Sequence, residues 1–197
     1  MLQQIDPWKG DFGDCYHRRQ ADAQSEAVKR LHLWRNVPAL PLCKTFLEVG
    51  AGTGPNLIAL RKLSDNFVLF ALEPNNTAAI QIPPDVSFIY GDATKIEAAS
   101  DTFDLVFTYG VLIHLEDPLP AMQEMYRTAK RYVLCAEYFS AQRRSIGYRN
   151  DIPLYADDFG SLWMDNFNVM PIGTGFCWKR TTGLDNITWW MFEKTAT

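Results

Sequence analysis

Short apolar runs alternate with helix-like segments along most of this 197-residue chain, and this alternation limits the folds that it can adopt. The runs are continuously apolar, which is typical of strands buried on both faces of a parallel sheet. Helical spacing of the apolar residues between them predicts helices that cover the sheet. The predicted strands are 45–49, 67–72, 86–90, 103–109 and 132–138, and the predicted helices are 21–34, 56–63, 75–80 and 118–130.

The C-terminal part of the chain departs from this alternation. Strands are predicted at 168–174 and 187–193 with a turn-rich segment between them, which favours an antiparallel pair at a sheet edge, and a helix is predicted before them at 155–165. We therefore expect an α/β fold with a doubly wound, mostly parallel seven-stranded sheet and an antiparallel C-terminal strand. Residues 1–40 are expected to form an arm and helix of the same domain as residues 41–197.

Composition excludes several classes of function. The chain is 47% hydrophobic with a formal net charge of −4, so it can bury a core and carries no overall basic footprint for nucleic acid. Its apolar runs are too short to span a bilayer, and its first residues lack the pattern of a secretory signal. The four cysteines form no CxxC pair, which predicts reduced thiols and no metal site. We expect a cytoplasmic monomer or homodimer without membrane or nucleic-acid partners.

The glycine-rich segment LEVGAGTG, residues 47–54, leaves a predicted buried strand and opens a helix. Open parallel sheets bind ligands at this position. The glycines follow the spacing G-x-G-x-G, because Pro55 stands where a dinucleotide fingerprint needs its third glycine, and no phosphate loop ending in Gly-Lys-Ser/Thr is present. A purely structural turn is the alternative interpretation.

Polar residues at the ends of the following strands restrict the kinds of ligand that this site can bind. Glu73 ends the second strand about twenty residues after the glycine loop, where a carboxylate can accept both ribose hydroxyls. A helix cap or a solvated strand end is the alternative for Glu73. Asp92 follows the third strand, where its side chain or the neighbouring amides can meet an adenine edge. Together these positions indicate a site for an adenosine without a pyrophosphate.

The segments LEVGAGTG, ALEP, YGDA and FDLVFTYGVLIHL occur in the order and spacing of the class I S-adenosylmethionine-dependent methyltransferases, which residues 45–138 resemble. The resemblance implies S-adenosylmethionine as the cofactor, with Glu48 and the glycine loop around its methionine portion, Glu73 at the ribose, and Asp92 with Ala93 at the adenine. The cofactor contacts expected from it are Tyr16, Glu48, Gly50, Ala51, Gly52, Gly54, Asn56, Glu73, Pro74, Asp92, Ala93, Tyr109, Gly110 and Val111.

A closer resemblance extends over most of the chain. The segments GDFGDCYHRR, AEY, IGYRND, DDFG and TWWMFEK are similar to those of methylases associated with pseudaminic acid biosynthesis. The segment 140–144 departs from the proline-containing stretch usual in those proteins. The resemblance implies a sugar or nucleotide-sugar acceptor.

Two residues at and after the end of the fourth strand are candidates for the chemistry. His114 is a candidate general base near the reacting methyl, because an imidazole ordinarily titrates near neutrality; a structural histidine is the alternative. Tyr109 is expected to line the methyl pocket or to pack in the core. Tyr16, in the N-terminal arm, is expected to close over the cofactor. His17 and His32 have no supporting context and are expected at the surface.

The expected acceptor contacts lie in and after the fifth strand: Glu137, Tyr138, Tyr148 and Arg149. Arg143 and Arg144 belong to the same cluster of arginines, which would suit an anionic sugar. A solvated charge run is the equal alternative.

The function predicted from these patterns is methyl transfer to a hydroxyl or amine of a small molecule. A nucleic-acid or protein methyltransferase is a competing hypothesis, which the acidic balance and the absence of an N/D-P-P-Y/F loop after strand four disfavour. A non-catalytic nucleotide-binding protein is the third hypothesis.

Overall fold

The structure, a computed structural model, describes residues 6–19, 22–147 and 154–195. Nine strands lie in this part of the chain: β1 (Thr45–Val49), β2 (Val68–Glu73), β3 (Ser87–Tyr90), β4 (Phe103–Tyr109), β5 (Ala129–Glu137), β6 (Arg144–Ile146), β7 (Leu154–Ala156), β8 (Pro171–Cys177) and β9 (Ile187–Glu193). The helices of the same part are α1 (Asp6–Lys9), α2 (Asp11–Arg19), α3 (Ala23–Trp34), α4 (Pro55–Leu63), α5 (Asn76–Ala79), α6 (Leu119–Thr128), α7 (Phe159–Phe167) and α8 (Lys179–Thr182), with 3₁₀ turns at Leu40–Leu42 and Leu112–His114.

Seven strands form one sheet in the order β3-β2-β1-β4-β5-β9-β8. The first five are parallel, and β9 pairs antiparallel with both β5 and β8. The expected fold class is confirmed. From β1 the chain continues to β2 and β3 on one side of the sheet, whereas β4 and β5 lie on the other side. The connections at the carboxyl ends of β1 and β4 therefore diverge and leave a crevice between them.

Two apolar cores cover the two faces of the sheet. The helix α3 carries Trp34 into one core, where its ring meets Phe107 of β4 edge-on at 4.7 Å between centroids. The helix α7 carries Trp163 into the other core against Phe192 of β9. These side chains are fully or almost fully buried, as the continuously apolar strand runs predict.

The segment before α7 differs from the prediction. Residues 155–165 do not form one helix, because residues 154–156 form the strand β7, which pairs with β6 as a separate two-stranded sheet, and α7 begins at Phe159. Asp158 sets that start by accepting a hydrogen bond from the Ser161 amide as the N-cap. The earlier helix α3 begins at Ala23 in the same way, with Asp22 as its cap.

The helices α1 and α2, residues 6–19, cover the crevice and are called the lid below. The backbone turns tightly between them, since a Cβ atom on Gly13 would lie 1.9 Å from the Trp8 carbonyl oxygen. The lid is attached to the end of β2 through Asn75, whose side-chain amide donates to the Trp8 carbonyl and to the Asp14 carboxylate, each at 2.9 Å. Among the described helices, none combines the length and the apolar character needed to cross a membrane.

Candidate active site

A cleft lies between the carboxyl ends of the parallel strands and the lid. It encloses about 970 Å³ of empty space, counted up to and including its open mouth. Its lining comes from the lid, the second half of α3, the first turn of α4, the strand ends and the loops that follow them. The lining residues are Trp8, Tyr16, His17, Arg30, Glu48, Gly50, Ala51, Gly52, Thr53, Pro55, Asn56, Leu72, Glu73, Pro74, Ala93, Tyr109, Gly110, Val111, His114 and Leu115.

The glycine loop forms the floor of the cleft. Gly50 has φ +72°, and a Cβ atom there would lie 2.6 Å from Val111 Cγ2, so that both conformation and space require glycine. The amides of Gly50 and Ala51 donate to the Leu72 carbonyl at 2.8 and 3.1 Å. The loop is thereby tied to β2, which brings its next amide, that of Gly52, beside Glu73.

Glu73 lies at the end of β2 with its carboxylate in the cleft, 4% exposed. Its Oε2 accepts from the Gly52 amide at 2.9 Å, and its Oε1 accepts from the Asn75 amide at 3.0 Å. Burial raises the pKa of Glu73 to about 7, although these two amides oppose the rise. The carboxylate retains lone pairs toward the cleft that can accept hydroxyl donors.

Glu48 lies deeper, in β1, and is held by a short chain of side chains. Its Oε1 accepts from Asn56 Nδ2 at 2.6 Å, and Asn56 Oδ1 accepts from Trp34 Nε1 at 3.2 Å. Burial raises the pKa of Glu48 to about 8. Its Oε2 is buried and has no hydrogen-bond partner within the described chain. A ligand cation would satisfy that oxygen and restore the ionised carboxylate.

Arg30 reaches the same part of the cleft from α3. Its guanidinium carbon lies 3.4 Å from the centre of the Tyr109 ring, and its Nε and Nη1 are buried without a hydrogen-bond partner among the residues described. Burial raises the pKa of Tyr109 to about 12, so its hydroxyl keeps its proton near neutral pH and can only donate or accept hydrogen bonds. Arg30 Nε and Nη1 thus offer N–H donors that suit a carboxylate.

Aromatic side chains form the lid side of the cleft. The Trp8 ring meets the Tyr16 ring edge-on at 5.2 Å and the His114 ring at 4.6 Å between centroids. His114 stands in the 3₁₀ turn after β4, half-buried and lining the cleft. Its contact with Trp8 joins the strand-end side of the cleft to the lid.

Most residues expected at the cofactor line this cleft, and two do not. Gly54 starts α4 just outside the lining with φ +77°. The Asp92 carboxylate instead accepts from the Thr94 amide and hydroxyl, while the neighbouring Ala93 does line the cleft.

The expected acceptor residues are placed differently from the prediction. Glu137 is fully buried, and its carboxylate accepts from the amides of Val111, Leu112 and Ile113 at 3.2–3.4 Å, which supports the turn that carries His114. Tyr138 is outside the cleft lining and donates to Asp185 at 3.3 Å. Tyr148 and Arg149 lie outside the described residues.

The arginines near the acceptor candidates do not enter the cleft either. Arg143 pairs with Asp157 at 2.7 Å and donates to the carbonyls of Leu115 and Glu116, so it fastens the β6–β7 hairpin to the loop after β4. Arg144 is exposed in β6.

The prediction of a surface position for His17 is wrong. His17 is 4% exposed because α2 turns it inward against the glycine loop and Glu73, whereas His32 is exposed as expected. Sequence reasoning also missed Trp8 and Arg30 as lining residues. The segment DCYHRR gives no periodic apolar signal for His17, and Arg30 follows the usual pattern of a charged residue on a surface helix.

Comparisons with known proteins agree with this geometry. Residues 47–135 match a protein family described as a methyltransferase domain. A protein of Schizosaccharomyces pombe described as an uncharacterized methyltransferase is 26% identical in an alignment 144 residues long, which covers 59% of this chain and 51% of that protein. The chain thus spans about half the length of that relative.

Solved structures share the fold across nearly the whole chain. Magnesium protoporphyrin IX methyltransferase from Synechocystis, with bound S-adenosylmethionine, superposes with a TM-score of 0.70 at 15% identity, covering 99% of each chain. The 1,6-didemethyltoxoflavin-N1-methyltransferase of Burkholderia thailandensis, with its substrate and S-adenosylhomocysteine bound, gives 0.66 at 15% identity over 93% of this chain and 83% of that one.

Proposed function

We propose, from the premise that residues 47–135 are a class I S-adenosylmethionine-dependent methyltransferase domain, that the chain transfers a methyl group to a hydroxyl or amine of a small molecule. The observation that carries the proposal is the cleft itself. It combines the glycine loop and Glu73 with buried polar atoms of Arg30 and Glu48 that have no hydrogen-bond partner among the described residues.

The lining fits each part of the cofactor. The Glu73 carboxylate suits the ribose hydroxyls, and the cleft beside Ala93 suits the adenine. The Nε and Nη1 donors of Arg30 suit the methionine carboxylate, and Glu48 Oε2 suits the methionine ammonium. When bound, S-adenosylmethionine supplies an electrophilic methyl group on a positively charged sulfur.

The residues after β4 then act on the acceptor. We assign to His114 the removal of the proton from an acceptor hydroxyl or ammonium, and Glu137 holds the turn that carries His114 by accepting from three backbone amides. Tyr109 cannot serve as the base near neutral pH because its pKa is about 12, so we assign it to the wall of the methyl pocket. Positioning the acceptor supplies the rest of the rate enhancement.

Aromatic rings at the mouth support a small acceptor. Trp8 and Tyr16 offer flat apolar surfaces, against which the face of a sugar or of a planar ring can pack. The two solved relatives act, by their descriptions, on a porphyrin and on a toxoflavin precursor, which are small molecules. Within this class we propose a sugar or nucleotide-sugar, following the resemblance to the methylases of pseudaminic acid biosynthesis.

Calorimetric titration with S-adenosylhomocysteine tests the cofactor assignment. Glu73→Ala removes the ribose partner, and the lost charged hydrogen bonds should weaken binding by about 1.5–3 kcal/mol, or roughly 10- to 150-fold. Glu97→Ala is the matched control, because Glu97 is an exposed carboxylate outside the cleft. Equal affinity of wild type and Glu73→Ala would contradict the assignment.

Transfer of a labelled methyl group then tests the acceptor class. A panel of sugars, nucleotide-sugars, planar heteroaromatic compounds, RNA, DNA and a protein extract should show label in the small-molecule fractions. Turnover confined to nucleic acid or protein would overturn the small-molecule proposal, and cofactor binding without any transfer would favour a non-catalytic role.

A further inference from the structure

His17 is a buried polar residue that the chemistry above does not use. It lies in the second half of α2 and is 4% exposed, and neither of its ring nitrogens has a hydrogen-bond partner in the part of the chain that the structure describes. Burying a polar group without a partner costs free energy, so a partner supplied by a ligand would recover it. The ring lines the cleft beside Gly52 and Glu73.

The gap between the His17 ring and the Glu73 carboxylate can hold one further atom. His17 Nε2 lies 3.9 Å from Glu73 Oε1, which is too far for a direct hydrogen bond. One oxygen atom can lie about 2.8 Å from both atoms at once, which is an ordinary hydrogen-bond distance. A hydroxyl group can therefore join the two side chains.

We propose that His17 and Glu73 share one ribose hydroxyl of the bound nucleoside, so that the lid supplies a direct contact to the cofactor. The inference rests on the proposed function, because it takes the nucleoside to lie at Glu73. It adds a contact from a helix that lies more than fifty residues from Glu73 in the sequence.

The protonation state of His17 agrees with such a contact. Burial lowers the pKa of His17 to about 4, against the attraction of Asp14, so the imidazole is neutral at pH 7. A neutral imidazole has one donor and one acceptor nitrogen, and a hydroxyl can pair with either. A carboxylate with a neutral imidazole is thus suited to a ribose hydroxyl rather than to a second charge.

The lid holds His17 in place for this contact. Asn75 joins the end of β2 to the lid backbone at Trp8 and to the Asp14 side chain, one turn before His17. The backbone amide of the same Asn75 donates to Glu73 Oε1. The two proposed partners of the hydroxyl are therefore positioned through one residue.

Calorimetry with S-adenosylhomocysteine and its 2′-deoxy and 3′-deoxy analogues tests the proposal on the 197-residue chain. His17→Phe should bind S-adenosylhomocysteine about 2- to 12-fold more weakly than wild type, the range for one hydrogen bond. The weakening should shrink toward 1-fold for the analogue that lacks the shared hydroxyl. His17→Gln, which keeps a donor and an acceptor, should recover part of the affinity, and it replaces His17→Phe if that variant fails to fold.

His32→Phe is the matched control, because His32 is an exposed histidine outside this cleft, and its affinities should equal those of wild type. An equal loss for all three ligands in His17→Phe would show that His17 only supports the lid and would overturn the proposal, as would no loss at all. Failure of wild type to bind S-adenosylhomocysteine would instead refute the proposed function itself.

Discussion

One side of the cleft is the edge of a seven-stranded sheet, whereas the other side is a pair of short helices held against that edge. The sheet side is fixed by strand pairing and by backbone contacts such as those from Gly50 and Ala51 to Leu72. The lid side is fixed by Asn75 and by the contacts of Trp8 with its aromatic neighbours. Buried backbone pairing is costly to open, while side-chain contacts over a cleft open locally. Substitutions on the sheet side should therefore alter both stability and binding, and substitutions on the lid should alter function alone.

The largest expected effect lies where the two sides meet. His114→Asn should lower turnover by about 10²–10⁴, the usual range for loss of a general base, while the affinity for S-adenosylhomocysteine stays nearly unchanged. Steady-state kinetics and calorimetry on the same preparation measure both quantities. Wild-type turnover in the variant would make His114 structural, and loss of cofactor affinity would place it in the cofactor pocket instead.

A glycine on each side gives the clearest comparison of stability. Gly50→Ala places a side chain on a residue in the left-handed conformation and against Val111. The substitution should lower the free energy of unfolding by about 2–4 kcal/mol and should also weaken cofactor binding. Gly10→Ala, on the lid, should change stability by less than about 0.5 kcal/mol, since its new Cβ atom meets only the Asp6 carbonyl oxygen at 3.9 Å. Urea denaturation measures both, and similar losses would remove the contrast between the two sides.

The lid alone is tested by Trp8→Ala. Losing the ring contacts with Phe12, Tyr16 and His114 should raise the Kd for S-adenosylhomocysteine about 2- to 12-fold, because an aromatic pair contributes about 0.5–1.5 kcal/mol. The global unfolding free energy should change little. Trp178→Ala, at an exposed tryptophan outside the cleft, is the control. A large loss of stability in Trp8→Ala would mean that the lid belongs to the cooperative core.

A pH dependence of stability is also expected from the sheet side. Burial raises the pKa of Glu48 to about 8 and the pKa values of Glu73 and Glu137 to about 7, from an ordinary 4.5. The folded protein thus keeps protons that the unfolded chain releases, and its stability falls as pH rises above 4.5 until each folded pKa is passed. His17 opposes this fall only between about pH 4 and 6.5, because its pKa is lowered.

Stability of the ligand-free protein should therefore fall between pH 6.5 and 8, by at most about 1.4 kcal/mol per pH unit for each of these carboxyl groups that is still protonated. Urea denaturation across this range measures the slope. Glu48→Gln, which cannot ionise, should flatten the part between pH 7 and 8. A stability that rises over the same interval would contradict the assigned protonation states.

The two sides also differ in how well the sequence predicts them. The strands β4 and β9 have the predicted bounds, because continuous apolar runs encode burial locally. The three-residue strands β6 and β7 are too short to show a period, and they were missed. Glu137 and Glu73 both end a strand and accept from loop amides, and only packing determines that Glu73 lines the cleft whereas Glu137 does not.

Long-range packing also explains why the burial of the lid residue His17 was not predicted. His17 is buried by groups more than thirty residues further along the chain, so its own neighbours contain no sign of that burial. The glycine loop is the opposite case, since its conformation, its tight contacts and its place after β1 are all recorded in consecutive residues. The glycine loop at the floor of the cleft could therefore be predicted from consecutive residues. The burial of His17 in the lid could not, because it depends on residues far along the chain.

The attachment of the lid through Asn75 has a consequence for the timing of the catalytic cycle. On the proposed function, we expect a product nucleoside beneath the lid to leave after both side-chain hydrogen bonds of Asn75 have broken, so that the lifetime of those bonds enters the residence time of the product. In enzymes with such covers, release rather than chemistry often limits the turnover number. We expect a change at Asn75, which joins the lid to the end of β2, to alter the off-rate of S-adenosylhomocysteine more than its equilibrium affinity.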